Sequence, residues 1–135
     1  MKRSLNKEIS VEYLVNPETK LSETENNRVR ILLQKSLSSD ICEKYDSFQE
    51  IFFILIGKTN CSKEIAEKLN KKFSKEITNI HIEKEKNKFK KSTLMKAYQT
   101  MNTYHKVVYN ILDKLDFKGE LVFDPFEEKK EKNAN

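Results

Sequence analysis

Glycine is almost absent from this chain, and its scarcity limits the folds that the chain can adopt. Only two of the 135 residues are glycine and two are proline, whereas glycine alone usually makes up about 7% of a protein. Tight hairpin turns and phosphate-binding loops need glycine, because it reaches positive φ angles without strain. The sequence therefore excludes a Walker loop, a GxGxxG dinucleotide site and a many-stranded sandwich or barrel. A mainly α-helical fold remains.

The length of the chain predicts a single helical domain over residues 1–126. A chain of 135 residues can bury a hydrophobic core without help from disulfides or metals. From residue 127 onward the only apolar residue is Ala134. Residues 127–135 are therefore predicted to form a disordered polar tail.

Several classes of protein are excluded by what the sequence lacks. Two cysteines and two histidines, without the spacing of metal ligands, predict no metal site, and no cofactor is expected. The longest apolar run, residues 51–56, is far shorter than the roughly 20 residues of a membrane span. The basic N-terminus lacks a following apolar region, which predicts no signal peptide. Two free thiols favour a reducing, cytoplasmic location.

Two short strands are predicted at the ends of the domain. Residues 9–15 alternate apolar and polar side chains, and Pro17 ends that pattern. Residues 120–123 follow a turn at Gly119 and stop before Pro125. The two segments can pair as a small two-stranded sheet.

About five helices are predicted between these strands. Ser22 and Glu25 form a capping box that begins the first helix. Asp40 can cap a second helix, whose apolar residues step by 4, 3, 4 and 3 from residue 41 to residue 55. This regular stripe indicates the most buried helix of the domain. Gly57 stands where a glycine would end it.

The next two helices are predicted on either side of a turn. Ser62 caps the third helix, which carries Ile65 and Leu69 on its apolar side. A turn is expected around residues 70–76. Thr78 or Asn79 can then cap a fourth, strongly basic helix.

The fifth predicted helix covers residues 94–115 and has the most regular apolar pattern in the chain. A second stripe at steps of seven, Ala97, Tyr104 and Ile111, makes its apolar face wider than a coiled-coil seam. This width favours packing within the helix's own domain. The alternative is a homodimer interface formed by the seven side chains at heptad spacing, which are Leu94, Tyr98, Met101, His105, Val108, Leu112 and Leu115.

Positive charge is concentrated in one segment of the chain. The whole chain has 26 basic and 21 acidic residues, a net charge of +5. Residues 58–96 hold 12 lysines and 5 glutamates, a net charge of +7, while the remaining residues are slightly acidic. A localised basic surface attracts phosphate chains, because neutralising phosphates releases their condensed counterions.

Residues 62–70 resemble the first half of a helix-turn-helix motif. Ile65 and Leu69 flank Ala66, a small residue that lets two helices approach closely. Asn70 stands where the turn of this family takes a left-handed residue, which asparagine tolerates well. The resemblance covers residues 62–91, with a turn longer than the usual three or four residues, as in some phage and plasmid regulators and in Myb-like domains. It implies a basic helix-turn-helix unit over residues 58–96 that binds DNA.

The resemblance also implies roles for individual side chains. The helix from about residue 79 to residue 91 would enter the major groove of DNA by its N-terminal end. Its polar side chains Asn79, His81 and Asn87 would contact base edges. Phosphates would be contacted by one helix face, Lys84, Lys88 and Lys91, and by the turn, Lys71, Lys72 and Lys75.

No group of residues in the sequence marks a catalytic site. His105 lies within the heptad stripe, and Cys61 has no base in a nearby motif. We therefore predict a protein that is not an enzyme: a small DNA-binding transcriptional regulator, or a plasmid or phage factor that assists in DNA recognition, which binds duplex DNA through its Lys-rich helix as a homodimer. The alternative is a helical protein-interaction module, such as a phage-encoded inhibitor or an immunity protein, whose basic helix docks on an acidic protein surface.

Overall fold

The computed structural model describes residues 19–121, which form four α-helices and no strand. The helices are α1 (Glu23–Lys35), α2 (Ile41–Ile56), α3 (Lys63–Glu85) and α4 (Lys91–Lys114). The mainly helical fold is thus confirmed, but these residues hold four helices where about five were predicted. Glu120 and Leu121 of the second predicted strand form no strand, and its last two residues, 122 and 123, lie outside the described residues. The first predicted strand, residues 9–15, and the predicted tail, residues 127–135, lie outside the described residues.

Short polar side chains begin three of the helices, as the sequence predicts. The Ser22 hydroxyl accepts a hydrogen bond from the Glu25 N–H at 3.0 Å, and the Glu25 carboxylate accepts one from the Ser22 N–H at 2.9 Å. Asp40 and Ser62 accept from N–H groups in the first turns of α2 and α3, at 3.0 and 3.2 Å. These contacts satisfy backbone donors that have no partner within the helix.

α2 is the central helix of the fold. It packs against α1, α3 and α4. Its predicted stripe is buried along its whole length: Ile41, Tyr45, Phe48, Phe52 and Leu55. The interpretation of α2 as the most buried helix is confirmed.

An aromatic cluster joins α2, α3 and α4, and Phe73 of α3 lies at its centre. The Phe73 ring stacks on Phe52, with centroids 5.1 Å apart, and meets Phe53 edge-on at 5.5 Å. It also contacts Tyr104 at 5.7 Å and Tyr45 at 6.0 Å. Aromatic pairs at these distances stabilise a core beyond the area that they bury.

The turn predicted around residues 70–76 is wrong, because α3 continues through it. Leu69, Phe73 and Ile80 lie on one face of the helix and are almost completely buried. Holding all three in the core requires an unbroken helical register. Asn70 tolerates a left-handed conformation but does not require one, and the intervening residues are acceptable helix formers. Thr78 and Asn79 consequently lie inside α3 and cap nothing.

The chain turns instead between Glu85 and Lys91. Asn87 takes a positive φ of 55°. The Lys88 N–H donates to the Glu83 carbonyl at 3.0 Å, and the Asn87 N–H donates to the Lys84 carbonyl at 2.9 Å. This pair of hydrogen bonds around a left-handed residue is the Schellman ending of a helix. The predicted helix from residue 79 to residue 91 is therefore divided between α3, this turn and the start of α4.

The apolar face of α4 packs into its own domain, which was the favoured interpretation of its width. Met101, Val108, Leu112 and Leu115 of the heptad stripe are at most 2% exposed. The second stripe of Ala97, Tyr104 and Ile111 is buried as well. The remaining heptad residues, Leu94, Tyr98 and His105, are partly buried. The seven heptad residues therefore do not form the exposed seam that the homodimer alternative requires, because the core of one chain already covers four of them.

A carboxylate from α3 connects three helices through hydrogen bonds. Oε1 of Glu76 accepts from the Tyr45 hydroxyl at 2.6 Å and from the Thr100 hydroxyl at 2.8 Å. Oε2 of Glu76 lies 3.2 Å from the ammonium of Lys72. Burial and the bond to Glu76 raise the pKa of Tyr45 far above its ordinary value. Glu76 was placed in the turn by the sequence analysis, whereas the structure gives it a role in holding the helices together.

The segment after α4 returns to α1. The Asn26 side chain donates to the Lys118 carbonyl and accepts from the Lys118 N–H, both at 3.0 Å. Asn26 thus offers Lys118 the same donor and acceptor that a neighbouring strand would offer. This contact fixes the end of the described chain beside the first helix.

Candidate nucleic-acid interface

The exposed side of α3 carries a continuous row of lysines, which we call the lysine stripe. It lies on the side of α3 away from the buried face of Leu69, Phe73 and Ile80. Residues 68, 72, 75, 79, 82 and 86 follow one another at steps of three or four, which places them on one side of a helix, and residue 71 lies beside them. Asn79 and Ile82 stand within this row. The stripe consists of Lys68, Lys71, Lys72, Lys75 and Lys86, all of which are exposed.

Most lysines of the lysine stripe are not held in ion pairs by carboxylates of the described residues. Lys72 is paired with Glu76 at 3.2 Å. Within residues 19–121, the other four lysines of the stripe make no ion pair. Glu76 itself is mostly buried, with 14% of its side chain exposed. Glu64, Glu67 and Glu85 are also exposed on α3, so the positive surface that an incoming anion can reach is centred on Lys71, Lys72 and Lys75.

Three of the lysines predicted to contact phosphate, together with Asn79, lie together on this surface. Lys71, Lys72 and Lys75 were expected in a turn, but they project from the middle of a helix. Asn79 is one of the three residues expected to contact base edges, and it is exposed in the same row. The structure thus brings these four residues together, although not in the predicted arrangement.

Lys84 and His81 lie on a different side of α3, towards the N-terminal half of α2. The Lys84 ammonium is 2.8 Å from Oδ2 of Asp40, which raises the pKa of Lys84 and lowers that of Asp40. Nε2 of His81 is 3.1 Å from Oδ2 of Asp46. Both side chains therefore connect α3 to α2, and neither belongs to the lysine stripe.

The last three residues of the predicted set, Asn87, Lys88 and Lys91, lie outside α3. Asn87 occupies the left-handed position that ends α3. Lys88 lies in the turn, and Lys91 is the first residue of α4. The predicted row of Lys84, Lys88 and Lys91 along one helix face is consequently wrong, because a turn separates them. Lys88 and Lys91 are nevertheless exposed.

The turn is held to α4 by a carboxylate that replaces an ordinary cap. Lys90 precedes α4 and makes no side-chain cap. Oε1 of Glu83 accepts from the Lys90 N–H at 2.8 Å, and Oε2 accepts from the Thr93 hydroxyl at 2.7 Å. These hydrogen bonds, first of all that from the Lys90 N–H, lower the pKa of Glu83. Glu83 therefore fixes the angle between the end of α3 and the start of α4.

A shallow pocket lies at this corner, at the end of the lysine stripe, and we call it the corner pocket. Its volume is about 410 Å³. Among residues 19–121, the only apolar side chain that lines it is that of Ile82, which is 43% exposed. Phe89, in the same turn, is 37% exposed. The lining residues are Asn79, Ile82, Glu83, Lys86, Lys88 and Lys90.

Lys68, Lys86, Ile82 and Lys90 were missed by the sequence analysis as members of a site. A signal for the first three was present, because Lys68 precedes Lys71 and Lys75, and Ile82 and Lys86 follow them, at helical spacing. That spacing has meaning only if the helix is continuous, and the predicted turn concealed it. Lys90 carried no such signal, since its place depends on how the turn folds.

The side chains considered for catalysis have structural surroundings. Nδ1 of His105 lies 2.8 Å from the Asn102 carbonyl, one turn earlier in α4. Cys42 is buried, and burial raises the pKa of its thiol. Cys61 is partly buried just before α3.

Searches for other sites and for similar proteins returned no match. In the part of the chain that the structure describes, no group of three or more His, Cys, Asp or Glu residues is placed to hold a metal ion. Over the same residues, no helix has both the length and the apolar character needed to cross a membrane. The chain matches no protein-family model, no curated protein and no solved structure.

Proposed function

We propose that this protein binds duplex DNA through the lysine stripe of α3, as a transcriptional regulator or as a factor that assists in DNA recognition. The observation that carries the proposal is the alignment of Lys68, Lys71, Lys72 and Lys75 on the exposed side of one continuous helix, with Lys86 as the residue that caps its end. No turnover is part of the proposal. Four of these lysines make no ion pair within residues 19–121, so DNA phosphates can act as their anionic partners.

The dimensions of α3 suit a DNA groove. Its 23 residues span about 35 Å at a rise of 1.5 Å per residue, which is about one turn of B-DNA. The major groove, about 12 Å wide, admits the exposed side of a helix. Each lysine that neutralises a phosphate releases counterions, and this release supplies most of the free energy of sequence-independent binding.

Sequence preference would come from Asn79 rather than from the lysines. Its amide both donates and accepts, the pattern that pairs with adenine. Phosphate contacts position a protein on the duplex but carry no sequence information. We therefore expect strong salt dependence and modest discrimination between sequences.

The proposed complex differs from a helix-turn-helix dimer. The contact surface is the side of one long helix, so no turn within residues 70–76 is needed. We propose that a single chain is the binding unit, because Met101, Val108, Leu112 and Leu115 are buried in the core.

The test is a salt titration of binding to a blunt duplex, measured by fluorescence anisotropy. The triple variant K68Q/K71Q/K75Q removes three lysines that make no ion pair among the described residues. At about 0.9 per phosphate contact, the slope of log K against log salt should become shallower by about 2.7. All three positions are exposed, so circular dichroism should show an intact fold.

The matched control removes the same charge elsewhere. Lys35, Lys106 and Lys114 are exposed on α1 and α4, and the variant K35Q/K106Q/K114Q has the same net charge as the stripe variant. It should retain most of the salt slope of the wild type. Equal losses in both variants would show that net charge, not the stripe, governs binding. No affinity for DNA at low salt would refute the proposal and would favour an acidic protein surface as the partner of the stripe.

A further inference from the structure

The corner pocket combines groups that suit a nucleotide. Ile82 offers an exposed apolar surface, and the aliphatic stems of Lys86, Lys88 and Lys90 extend it while their ammonium groups stay in water. Asn79 adds an amide that both donates and accepts. The volume of about 410 Å³ falls within the range of about 300–1,000 Å³ of pockets that hold small ligands.

We infer that the corner pocket binds one unpaired nucleotide of DNA. This inference rests on the proposed function, because Lys86 belongs to both the pocket and the lysine stripe and Asn79 stands in the same row of α3. The base lies against Ile82, with its edge towards the Asn79 amide. Its phosphate is held by the lysines of the turn. The stripe binds the adjoining duplex, and the pocket binds the nucleotide where the duplex ends or is interrupted.

The charges of the corner pocket favour a phosphate. Three lysines line it and one carboxylate, Glu83, opposes them. Both oxygens of Glu83 are engaged by groups at the start of α4, the Lys90 N–H at 2.8 Å and the Thr93 hydroxyl at 2.7 Å. The described side chains that line the pocket therefore have a net charge of +2. The carboxylate of Glu83 is turned to its hydrogen-bond donors at the start of α4.

An unpaired nucleotide fits this chemistry better than a base pair does. In a duplex, both faces of a base are covered by stacking and its pairing edge is occupied. An unpaired base exposes one face and the whole pairing edge. Proteins that bind single strands stack bases on aromatic side chains beside cationic groups, and in the corner pocket the aliphatic side chain of Ile82 takes the place of the aromatic ring.

The experiment compares two DNA ligands in an anisotropy assay: a blunt duplex, and the same duplex with a three-nucleotide 3′ overhang. The wild-type protein should bind the overhang duplex about tenfold more tightly, since one well-placed base contact is of that order. The variant I82S should lose this preference, so that its affinities for the two ligands become equal. Ile82 is exposed, so the substitution should leave the fold intact.

A matched control substitutes an isoleucine elsewhere. Ile31 is 50% exposed on α1, and I31S should keep the full preference for the overhang. A second pair of variants tests the amide: N79A should reduce discrimination among the four bases in the overhang, whereas N70A, also exposed on α3, should not.

Each failure has a distinct meaning. Equal affinity of the wild type for both ligands would overturn the pocket assignment and leave DNA binding by the stripe in place. Loss of the preference in I31S as well as in I82S would overturn it too. Absence of binding to either ligand at low salt would overturn both proposals together. Bending of the blunt duplex without preference for the overhang would show that Ile82 inserts between stacked bases instead.

Discussion

Replacing Ser74 by proline tests whether α3 is continuous, on which the lysine stripe depends. Ser74 is exposed near the middle of α3, so its side chain contributes little to packing. A proline there would remove the hydrogen bond from residue 74 to the carbonyl of residue 70 and would clash with that carbonyl. The cost inside a helix is about 3 kcal/mol. For a domain of this size, this corresponds to a fall in Tm of about 12 °C.

The assay is urea unfolding followed by circular dichroism, with two matched controls. S74A should be neutral or gain about 0.5 kcal/mol, because alanine is the better helix former. K63P places proline at the first position of α3, where its missing N–H has no partner within the helix and costs little. The preceding residue, Ser62, already has φ −66° and ψ 149°, a conformation that proline accepts.

The contrast between the two prolines is the decisive result. If α3 is continuous, the free energy of unfolding of S74P should be lower than that of K63P by nearly the full helix cost of about 3 kcal/mol. A turn around residues 70–76 would tolerate proline at residue 74. If S74P unfolds within about 0.5 kcal/mol of the wild type, the continuous α3 is wrong, and the lysine stripe loses its geometry.

Three further predictions concern the core and the turn. F73A should lower the free energy of unfolding by about 3–5 kcal/mol, and F73L by a smaller but measurable amount; an F73L variant as stable as the wild type in urea unfolding would mean that the aromatic cluster adds nothing specific. Folding lowers the pKa of Glu83 below its ordinary value of 4.5. The ionised Glu83 carboxylate therefore stabilises the fold above pH 4.5, and this stabilisation is lost as the pH falls below 4.5 and Glu83 becomes protonated. E83Q should therefore lose less free energy of unfolding than the wild type as the solution is acidified. Identical curves of stability against pH for the two proteins would contradict the role of Glu83 in capping α4. N87G should match or exceed wild-type stability, whereas N87A should lose about 1 kcal/mol because of its positive φ; equal thermal melts for the two variants would exclude a left-handed Asn87.

The parts of the fold that were predicted from sequence depend on neighbouring residues. The caps at Ser22, Asp40 and Ser62 each place a short polar side chain directly before an apolar pattern, and the hydrogen bonds that follow span at most three residues. The stripe of α2 likewise repeats at helical spacing over its whole length. Such signals can be interpreted without knowledge of the tertiary structure.

The continuity of α3 depends on distant residues instead. Asn70, Thr78 and Asn79 permit a turn or a cap, but none of them requires one. The decision comes from Phe73, whose ring packs among rings from α2 and α4. A sequence pattern does not show those partners, so the weaker local signals suggested a break.

The candidate site was predicted in part for the same reason. Lys71, Lys72, Lys75 and Asn79 were selected by their residue types, and they lie on the exposed side of α3 as a group. Lys84 pairs with a carboxylate 44 residues earlier in the chain. The sequence offers no sign of such a pairing, so a lysine that joins two helices looked the same as a lysine that faces solvent.

The contact between Asn26 and Lys118 has a consequence for the order of folding. Its two residues are 92 positions apart, so closing it costs more chain entropy than any contact within a helical hairpin. It can form only after the four helices have docked, and it lies at an exposed end of the fold. We expect the Lys118 amide to exchange its hydrogen with solvent through local opening, well before the core amides of α2 do so through global unfolding.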